Sequence, residues 1–418
     1  MTLRNLEHLL APASVALIGA SPQQGSVGFT VLRNLTTSGF DGDVYFVNPK
    51  YVEVNGLRCY PNIAALPRPP ELAIVATPPK SVPGIIAELA EVGTRAVVVI
   101  TAGLGDLKQS MLDASRQVCL RILGPNSLGL MLPAVGINAS FAHRAAPKGD
   151  LAFLSQSGAL VTAVVDWAAS RNIGFSHVIS LGDMADVDFG DLLDYLAGDT
   201  KSRAILIYME ALTNAPKFIS AARRAARVKP VIVVKSGRHE AGARAAMSHT
   251  GALAGSDAAY DAAFRRTGLL RVKTLPELFA AAEILSRRPY LAGERLTILT
   301  NGGGAGVLAA DELQDAGGTM AVLSPALQSR LNQVLPSGWS HANPIDIIGD
   351  AGPERYRAAL SELLADEASH AVLVMQCPTA LASSIENAAV VVDLAKSKAN
   401  GARSAKTLLT CWLGDDAA

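Results

Sequence analysis

One histidine of the sequence stands in a setting suited to nucleophilic chemistry. His249 lies in the run MSHTGALAG, residues 247–255, between small residues, and it follows the Ala- and Gly-rich stretch SGRHEAGARAA. We therefore expect His249 on a loop that can move. Imidazole is nucleophilic at pH 7 without any pKa shift, so the pattern predicts His249 as a nucleophile. We expect the other histidines to be surface or helix-capping residues: His8, His143, His177, His239, His341 and His370.

A carboxylate after an apolar run is the candidate partner of this histidine. A nucleophilic imidazole needs its second nitrogen held, and a carboxylate that accepts that N–H fixes the tautomer and stabilises the cationic ring. Glu210 comes directly after AILIYM, residues 204–209, so its charge must emerge near the edge of a sheet. A helix-capping or surface carboxylate is the alternative for Glu210.

Two turns rich in Gly and Ser each lead into an apolar helical stretch. They are SQSGAL, residues 155–160, and NGGGAG, residues 301–306, which contains Gly303 and Gly304. Free N–H groups and the positive end of the dipole at a helix N-terminus favour an anion, so both turns are candidate phosphate cradles. Ser155 is either a phosphate ligand or only an N-cap, and the two roles can coexist.

The turn after the first predicted strand suits a phosphorylated nucleotide better than a plain dinucleotide. GASPQQGSVG, residues 19–28, is longer than GxGxxG and lacks its middle glycine. After the second strand stands NPK, residues 48–50, instead of a ribose-binding acid, which excludes a nicotinamide oxidoreductase. Lys50 adds a cation there instead. Backbone N–H groups at the helix start could still meet a phosphate beside Gly19, Ser21 and Gly28.

Three segments share one order of elements, in which a β-branched run meets a Gly/Ser-rich turn and then a helical stretch. Near-continuous apolar runs that alternate with helices imply parallel sheets covered on both faces. The sequence thus predicts an α/β protein whose ligands bind outside the carboxyl ends of its strands. One predicted boundary is the stretch MLPAVGINASFAHRAAPKGD, broken by Pro and Gly. The three doubly wound parallel-sheet modules are expected at residues 1–133, 150–286 and 294–418.

Composition excludes several classes of protein. Hydrophobic residues make up 50% and charged residues 18%, which indicates a compact fold. The 37 Lys and Arg balance 37 Asp and Glu, so no net field attracts nucleic acid or an anionic membrane surface. No apolar run approaches the roughly 18 residues of a membrane span. The four cysteines form no CxxC pair, and we therefore expect a reducing cytoplasm, with neither a disulfide framework nor a metal site.

Read together, these motifs resemble those of the NDP-forming acyl-CoA synthetases, in the succinyl-CoA synthetase superfamily. The turns at the strand ends of the first module, TPP at 77–79, TAG at 101–103 and GPNS at 124–127, are similar to those of its coenzyme A-binding domain. SHTGALAG resembles the phosphohistidine loop of the family, and NPID at 343–346 its NPxD turn. The resemblance covers essentially the whole chain. It implies a Rossmann-like CoA-binding domain followed by two flavodoxin-like domains, the last of them incomplete.

The resemblance also implies roles for individual residues. Glu210 matches the glutamate that orients the phosphohistidine, and Ser157 and Gly158 match ligands of its phosphoryl group. The module of Gly303 and Gly304 would supply a second helix N-terminus towards that phosphate. The residues that match contacts of coenzyme A are Gly19, Ser21, Gly28, Lys50, Thr77, Pro78, Thr101 and, near the thiol, Asn126.

The sequence lacks a module that such an enzyme needs. Relatives pass the phosphoryl group to ADP or GDP on an ATP-grasp module, and this chain carries neither that block nor a P-loop GxxxxGK[ST]. We expect ADP or ATP and Mg²⁺ to bind only to an ATP-grasp β subunit or domain. The chain stops soon after TLLTCW, predicted as the fourth strand of the third sheet, so we expect either a truncation or a partner that finishes the sheet.

Two functional classes stay open. The first is reversible acyl-CoA synthesis from a small carboxylic acid, with acetyl as the default acyl group by family frequency, and a homo-oligomer is compatible with it. The alternative is a regulatory region that senses CoA or acyl-CoA in a GNAT-type protein lysine acetyltransferase. The presence of both His249 and Glu210 favours the enzyme.

Overall fold

The computed structural model describes residues 3–242, 244, 256–286, 291–399 and 406–414. The fold divides into two compact units, Met1–Arg287 and Arg288–Ala418. Within the described ranges, no helix combines the length and the apolar character that crossing a membrane requires. The loop that carries His249 lies outside the described residues.

The first sheet of the first unit is parallel apart from one short hairpin. Its seven strands lie in the order β3-β4-β2-β1-β5-β6-β7. The strands are β1 Ser14–Ile18, β2 Asp43–Val47, β3 Glu53–Val54, β4 Leu57–Tyr60, β5 Leu72–Val75, β6 Ala96–Val99 and β7 Arg121–Leu123. The helices are α1 Leu6–Leu10, α2 Val27–Thr37, α3 Val82–Val92 and α4 Leu107–Arg116, with 3₁₀ turns at Ile63–Ala65 and Pro79–Ser81. Every residue of β1, β5, β6 and β7 is buried, which is why these strands are apolar apart from Ser14 and Arg121 at the starts of β1 and β7.

The second sheet of the same unit has the order β14-β13-β12-β10-β11-β8-β9. Its strands are β8 Gly129–Leu132, β9 Ile137–Ser140, β10 Lys148–Ser155, β11 Phe175–Ser180, β12 Ala204–Met209, β13 Val231–Lys235 and β14 Leu270–Val272. The accompanying helices are α5 Gly158–Ala169, α6 Phe189–Gly198, α7 Ala215–Ala226, α8 Asp257–Thr267 and α9 Leu275–Ser286. Strands β10 to β14 are parallel, whereas β8 and β9 form an antiparallel edge.

This antiparallel edge joins the two sheets of the first unit. The strand β8 falls within the predicted first module but pairs with β11 of the second sheet. From helix α2, Asn34 donates its amide hydrogens to the carbonyls of Ser140 and Ala142, both at 2.8 Å. One hydrophobic cluster contains Val31 and Leu130 together with residues of the second sheet. The stretch predicted as a boundary therefore contains a buried strand, because its apolar side chains pack between the sheets.

The second unit contains a smaller parallel sheet, ordered β16-β15-β18-β19, with β17 paired to β15. Its strands are β15 Arg295–Thr300, β16 Thr319–Met320, β17 Ile345–Asp346, β18 Ala371–Gln376 and β19 Thr407–Trp412. Its helices are α10 Gly303–Asp315, α11 Pro325–Val334, α12 Pro353–Ala365 and α13 Ser384–Ala399. Leu299 and Val374 pack with the buried Trp339 and Tyr356 in its core. The strand predicted at TLLTCW is β19, and the predicted α/β class with three mainly parallel sheets is confirmed.

Candidate active site

A cavity of about 480 Å³ opens in the first unit at the carboxyl ends of strands from both sheets. Its wall is apolar at Val27, Ile100, Leu128 and Phe141. The polar part of the wall brings together five of the predicted site residues: Thr77, Thr101, Asn126, Ser157 and Gly158. The turns predicted to contact coenzyme A and the turn predicted to cradle phosphate thus share one cavity. Carboxyl ends of parallel strands are where open α/β sheets bind ligands.

Hydrogen bonds within the SQSGAL turn shape the start of helix α5. The hydroxyl of Ser155 donates to the carbonyl of Ser157 at 2.8 Å and accepts from its N–H at 3.1 Å. Ser157 is the N-cap, and its hydroxyl accepts from the N–H of Leu160 at 3.4 Å. The alternative role of Ser155 as the N-cap is therefore wrong, because its hydroxyl is used inside the turn. A Cβ on Gly158 would lie 3.1 Å from Cβ of Leu128, so the helix start lies close to the turn after β7.

Glu210 lies next to this turn, at the end of the neighbouring strand β12. It is buried, at 8% exposure, and its N–H donates to Oε1 of Gln156 at 2.6 Å. Burial raises the pKa of Tyr208, and the hydrogen bond and negative charge of Glu210 raise it further against the lowering effect of Ser236. Buried Lys235 stands at the end of β13 with Nζ 4.5 Å from the centre of the Tyr260 ring, and burial lowers the pKa of Lys235.

Sequence reasoning missed three residues of this region: Gln156, Lys235 and Tyr208. Gln156 stands inside the SQSG run of the predicted phosphate cradle, and Lys235 is the last residue of an apolar strand, much as Glu210 directly follows one. A charged or amide side chain directly after a buried strand was the signal that could have found both. Tyr208 carries no such signal, since an aromatic residue in an apolar strand is predicted to be part of the hydrophobic core.

The first turn of the chain is shaped by two glycines that touch. Gly19 has φ of +102°, and a Cβ there would lie 2.5 Å from the carbonyl oxygen of Ala76. A Cβ on Gly28 would lie 2.1 Å from the carbonyl oxygen of Gly19, so the start of helix α2 approaches the turn at backbone distance. The hydroxyl of Ser21 accepts from the N–H of Gln23 at 3.1 Å. Gly19, Ser21 and Gly28 lie where the first turn meets the start of helix α2, and they are not part of the cavity wall.

The remaining predicted contacts of the first module form a connected set of strand ends. Asn48 donates to the carbonyl of Ala20 at 2.7 Å and accepts from the N–H of Lys50 at 3.0 Å, which holds exposed Lys50 beside the first turn. The hydroxyl of Thr101 donates to the carbonyl of Thr77 at 2.7 Å, and Pro78 is exposed next to Thr77.

Asn126 closes this set of strand ends. Its N–H donates to the carbonyl of Thr101 at 2.9 Å, and its Nδ2 donates to Oδ1 of Asp183 at 3.2 Å. Its φ of +58° lies in the left-handed region, which asparagine adopts more readily than most residues. These contacts fix Asn126 in the wall of the cavity.

The NGGGAG turn lies in the second unit, at the start of helix α10. A Cβ on Gly303 would lie 2.7 Å from Oδ2 of Asp346, the acid of the NPID run, whereas one on Gly304 would meet open space. Asn343 of that run donates to the carbonyls of Leu296 at 3.0 Å and Ala321 at 2.9 Å. The two motifs of the third module therefore meet at one edge of its sheet.

His177 corrects the expectation that the other six histidines are surface or capping residues. It lies inside strand β11 and is 4% exposed. Its Nδ1 is 3.1 Å from the hydroxyl of Ser202. Burial lowers the pKa of His177 to about 4, and nearby Asp199 opposes this only in part. The imidazole is neutral at pH 7.

The described residues contain no group of three or more His, Cys, Asp or Glu side chains placed to hold a metal ion. The four cysteines, Cys59, Cys119, Cys377 and Cys411, are all unpaired.

Comparison with known proteins agrees with this geometry. Family models match a CoA-binding domain at residues 13–133, a succinyl-CoA ligase-like flavodoxin domain at 148–285 and a ligase-CoA domain at 296–416. The chain is 40% identical to acetate–CoA ligase [ADP-forming] I of Archaeoglobus fulgidus, over 98% of this chain and 59% of that relative. It is 38% identical to the alpha subunit of acetate–CoA ligase [ADP-forming] I of Pyrococcus furiosus, over 93% of this chain and 86% of that subunit.

A solved structure shows the same fold. It is the dinucleotide-forming acetyl-coenzyme A synthetase 1 of Candidatus Korarchaeum cryptofilum, in complex with phosphate and ADP. The TM-score is 0.91 at 37% identity, with 98% of this chain and 89% of that chain covered.

These matches define a class of acid–thiol ligases, and the chain belongs to the ADP-forming acyl-CoA synthetase family. The resemblance found in the sequence is thereby confirmed. The chain spans 59% of the Archaeoglobus relative and 50% of an acetate–CoA ligase [ADP-forming] of Methanocaldococcus jannaschii, but 86% of the Pyrococcus alpha subunit. It is alpha-like in extent. The regulatory alternative gains no support from these relatives.

Proposed function

We propose that this chain is the alpha-like part of an ADP-forming acyl-CoA synthetase. The observation that carries the proposal is the cavity in which Thr77, Thr101 and Asn126 meet Ser157 and Gly158. A thioester held by the first module would there face a phosphate held at the N-terminus of helix α5. Phosphate attacks the thioester carbonyl, the carbon–sulfur bond breaks, and acyl phosphate and free coenzyme A result.

The residues present fit coenzyme A. Gly19 and Gly28 let the first turn approach the start of helix α2 at backbone distance, a helix N-terminus favours an anion, and Lys50 adds a positive charge beside that turn. The strand-end turns at Thr77 and Thr101 lead from there into the cavity. In this proposal the first turn binds the nucleotide end and Asn126 stands near the thiol.

In the second step, His249 would attack the phosphorus of the acyl phosphate. The phosphorus–oxygen bond to the acyl group breaks, and the carboxylic acid leaves as its anion. The proposed role of Glu210 is to accept the N–H of the other ring nitrogen and to stabilise the cationic phosphohistidine. Its burial supports this role, because a carboxylate acts more strongly on a nearby cation where water is excluded.

The third step needs a module other than those described. We assign transfer of the phosphoryl group from His249 to ADP, with Mg²⁺, to an ATP-grasp β subunit or domain. The existence of a separate alpha subunit in the Pyrococcus relative supports this division. The three modules at 1–133, 150–286 and 294–418 would then bind CoA, carry the phosphohistidine and supply a second glycine turn through Gly303 and Gly304.

Four unpaired cysteines favour the reducing cytoplasm as the compartment.

Acetate is the proposed substrate by the names of the relatives. Relatives at 33% and 34% identity are named for 4-hydroxybutyrate and trans-feruloyl groups, so the family accepts more than one acid. The apolar wall at Ile100, Leu128 and Phe141 suits a small acyl group without a charge.

A single-turnover assay tests the proposal. The chain is incubated with acetyl-CoA and phosphate, and free coenzyme A is measured by chromatography, which avoids interference from the four cysteine thiols. We expect release that requires phosphate and stops near one equivalent per chain, because His249 has no acceptor for its phosphoryl group. Release that is independent of phosphate would contradict the proposal.

A further inference from the structure

The amide of Gln156 is held in one orientation by two main-chain donors. Gln156 is 8% exposed. Its Oε1 accepts from the N–H of Glu210 at 2.6 Å and from the N–H of Ala211 at 2.9 Å. An amide nitrogen cannot accept hydrogen bonds, so only the oxygen can occupy this position. The two donors therefore determine which end of the amide is which.

This orientation leaves Nε2, with its two N–H donors, at the other end of the side chain. Gln156 belongs to the wall of the cavity, next to Ser157 and Gly158. Across the ranges that the structure describes, the hydrogen bonds of the Gln156 side chain are the two made by Oε1. Nε2 is not among the fully buried polar atoms that lack a partner in the described ranges, so it is accessible from the open cavity that Gln156 lines. It is therefore a donor that a ligand in the cavity can use.

We propose that Nε2 of Gln156 donates a hydrogen bond to an anionic oxygen of phosphate, free or within the acyl phosphate. The inference rests on the proposed function and adds a neutral donor to the N-terminus of helix α5. The same side chain ties the turn of Glu210 to the phosphate turn through Oε1. Gln156 therefore links the carboxylate assigned to His249 with the anion that His249 attacks.

Two substitutions separate the two ends of the amide. Gln156→Glu keeps an oxygen that accepts from Glu210 and Ala211 but turns the other end into a negatively charged acceptor. Gln156→Leu has nearly the same shape and leaves both main-chain N–H groups without an acceptor. We expect Gln156→Leu to lower the melting temperature by roughly 2–4 °C. Gln156→Glu keeps both main-chain hydrogen bonds but buries a charge near Glu210, so it should also lower the melting temperature.

Binding of inorganic phosphate is the decisive measurement. We expect Gln156→Glu to weaken phosphate binding at least about tenfold, because like charges then face each other, and to leave coenzyme A binding within roughly twofold. Gln117→Glu is the matched control, since Gln117 is exposed and outside the cavity. Wild-type phosphate binding in Gln156→Glu would overturn the inference.

A second measurement covers the case in which Gln156→Glu does not fold. In wild-type protein with ¹⁵N-labelled glutamine side chains, one amide pair should shift on addition of phosphate but not on addition of chloride at equal ionic strength. If no amide pair shifts although phosphate binds, the inference is wrong. A wild-type chain that binds neither phosphate nor coenzyme A would instead contradict the proposed function itself.

Discussion

Glu210 is the residue on which the proposed phosphorylation step depends most after His249. Its N–H donates to Oε1 of Gln156, so its position is tied to the SQSGAL turn. We predict that Glu210→Gln slows phosphorylation of the chain by roughly a hundredfold, because the cationic ring loses its counter-charge. Coenzyme A binding should be unchanged. The rate is followed as incorporation of ³²P-phosphate in the presence of acetyl-CoA.

The exposed Glu88 of helix α3 provides a control for that substitution. Glu88→Gln should phosphorylate at the wild-type rate. An equal rate in Glu210→Gln would reduce Glu210 to a buried structural carboxylate.

His177 makes the stability of the first unit sensitive to acid. Its pKa is lowered from 6.5 to about 4, so between these values the unfolded chain binds a proton that the folded chain does not. The free energy of unfolding therefore falls as the pH drops below 6.5, by about 3 kcal/mol at pH 4 from this group. We predict that His177→Asn makes the fall shallower, as measured by urea unfolding at a series of pH values.

His239 is exposed and supplies the matched control, His239→Asn. It should leave the pH profile as steep as in the wild type. A profile for His177→Asn that parallels the wild type would mean that other groups dominate the acid response.

At the scale of elements, the approach of helix α2 to the first turn allows a sharp prediction. Gly28→Ala would place a Cβ 2.1 Å from the carbonyl oxygen of Gly19, so the helix must move away. We expect a loss of about 1–3 kcal/mol in the free energy of unfolding and a marked loss of coenzyme A binding. Thermal unfolding and calorimetry measure the two effects.

Gly84 of helix α3 is the control for this change. A Cβ there would meet nothing within 4 Å, and Ala is the better helix former. Gly84→Ala should therefore raise stability by about 0.5–1 kcal/mol. If both glycines respond alike, the close approach at Gly28 has no energetic consequence.

The parallel strands could be predicted from sequence, and the antiparallel edge could not. Buried strands such as β6 and β12 are continuously apolar, and each is followed by a turn, so local pattern suffices. The strand β9 carries Asn138 and Ser140 and stands among Pro and Gly, which reads as a boundary. Its burial comes from contacts with helix α2, about a hundred residues earlier in the chain, and no local pattern encodes them.

Some features of the candidate site could likewise be predicted from the sequence, and others could not. The glycine turns and the polar strand ends were predictable because their residue types are required by the backbone geometry. The orientation of Gln156 and the burial of His177 were not, since each is set by partners on neighbouring strands.

For the whole molecule, the roles proposed for the modules lead to a prediction about ligand binding. The chain should bind coenzyme A without help, and Lys50→Ala should weaken binding about tenfold by removing one charged contact to phosphate. Lys201→Ala is the control, since Lys201 is exposed and lies outside the first module. ATP and ADP should give no heat in the same calorimeter. Robust acyl-CoA formation from ATP by this chain alone would overturn the assignment of the modules.

Phosphorylation of His249 tests the central claim most directly. The chain is incubated with acetyl-CoA and ³²P-phosphate, and the label is located by peptide mapping. The proposed function predicts an acid-labile, base-stable label on the peptide that contains His249 and no label in His249→Ala. A label that survives in His249→Ala, or a chain that binds both acetyl-CoA and phosphate yet takes up no label, would contradict it.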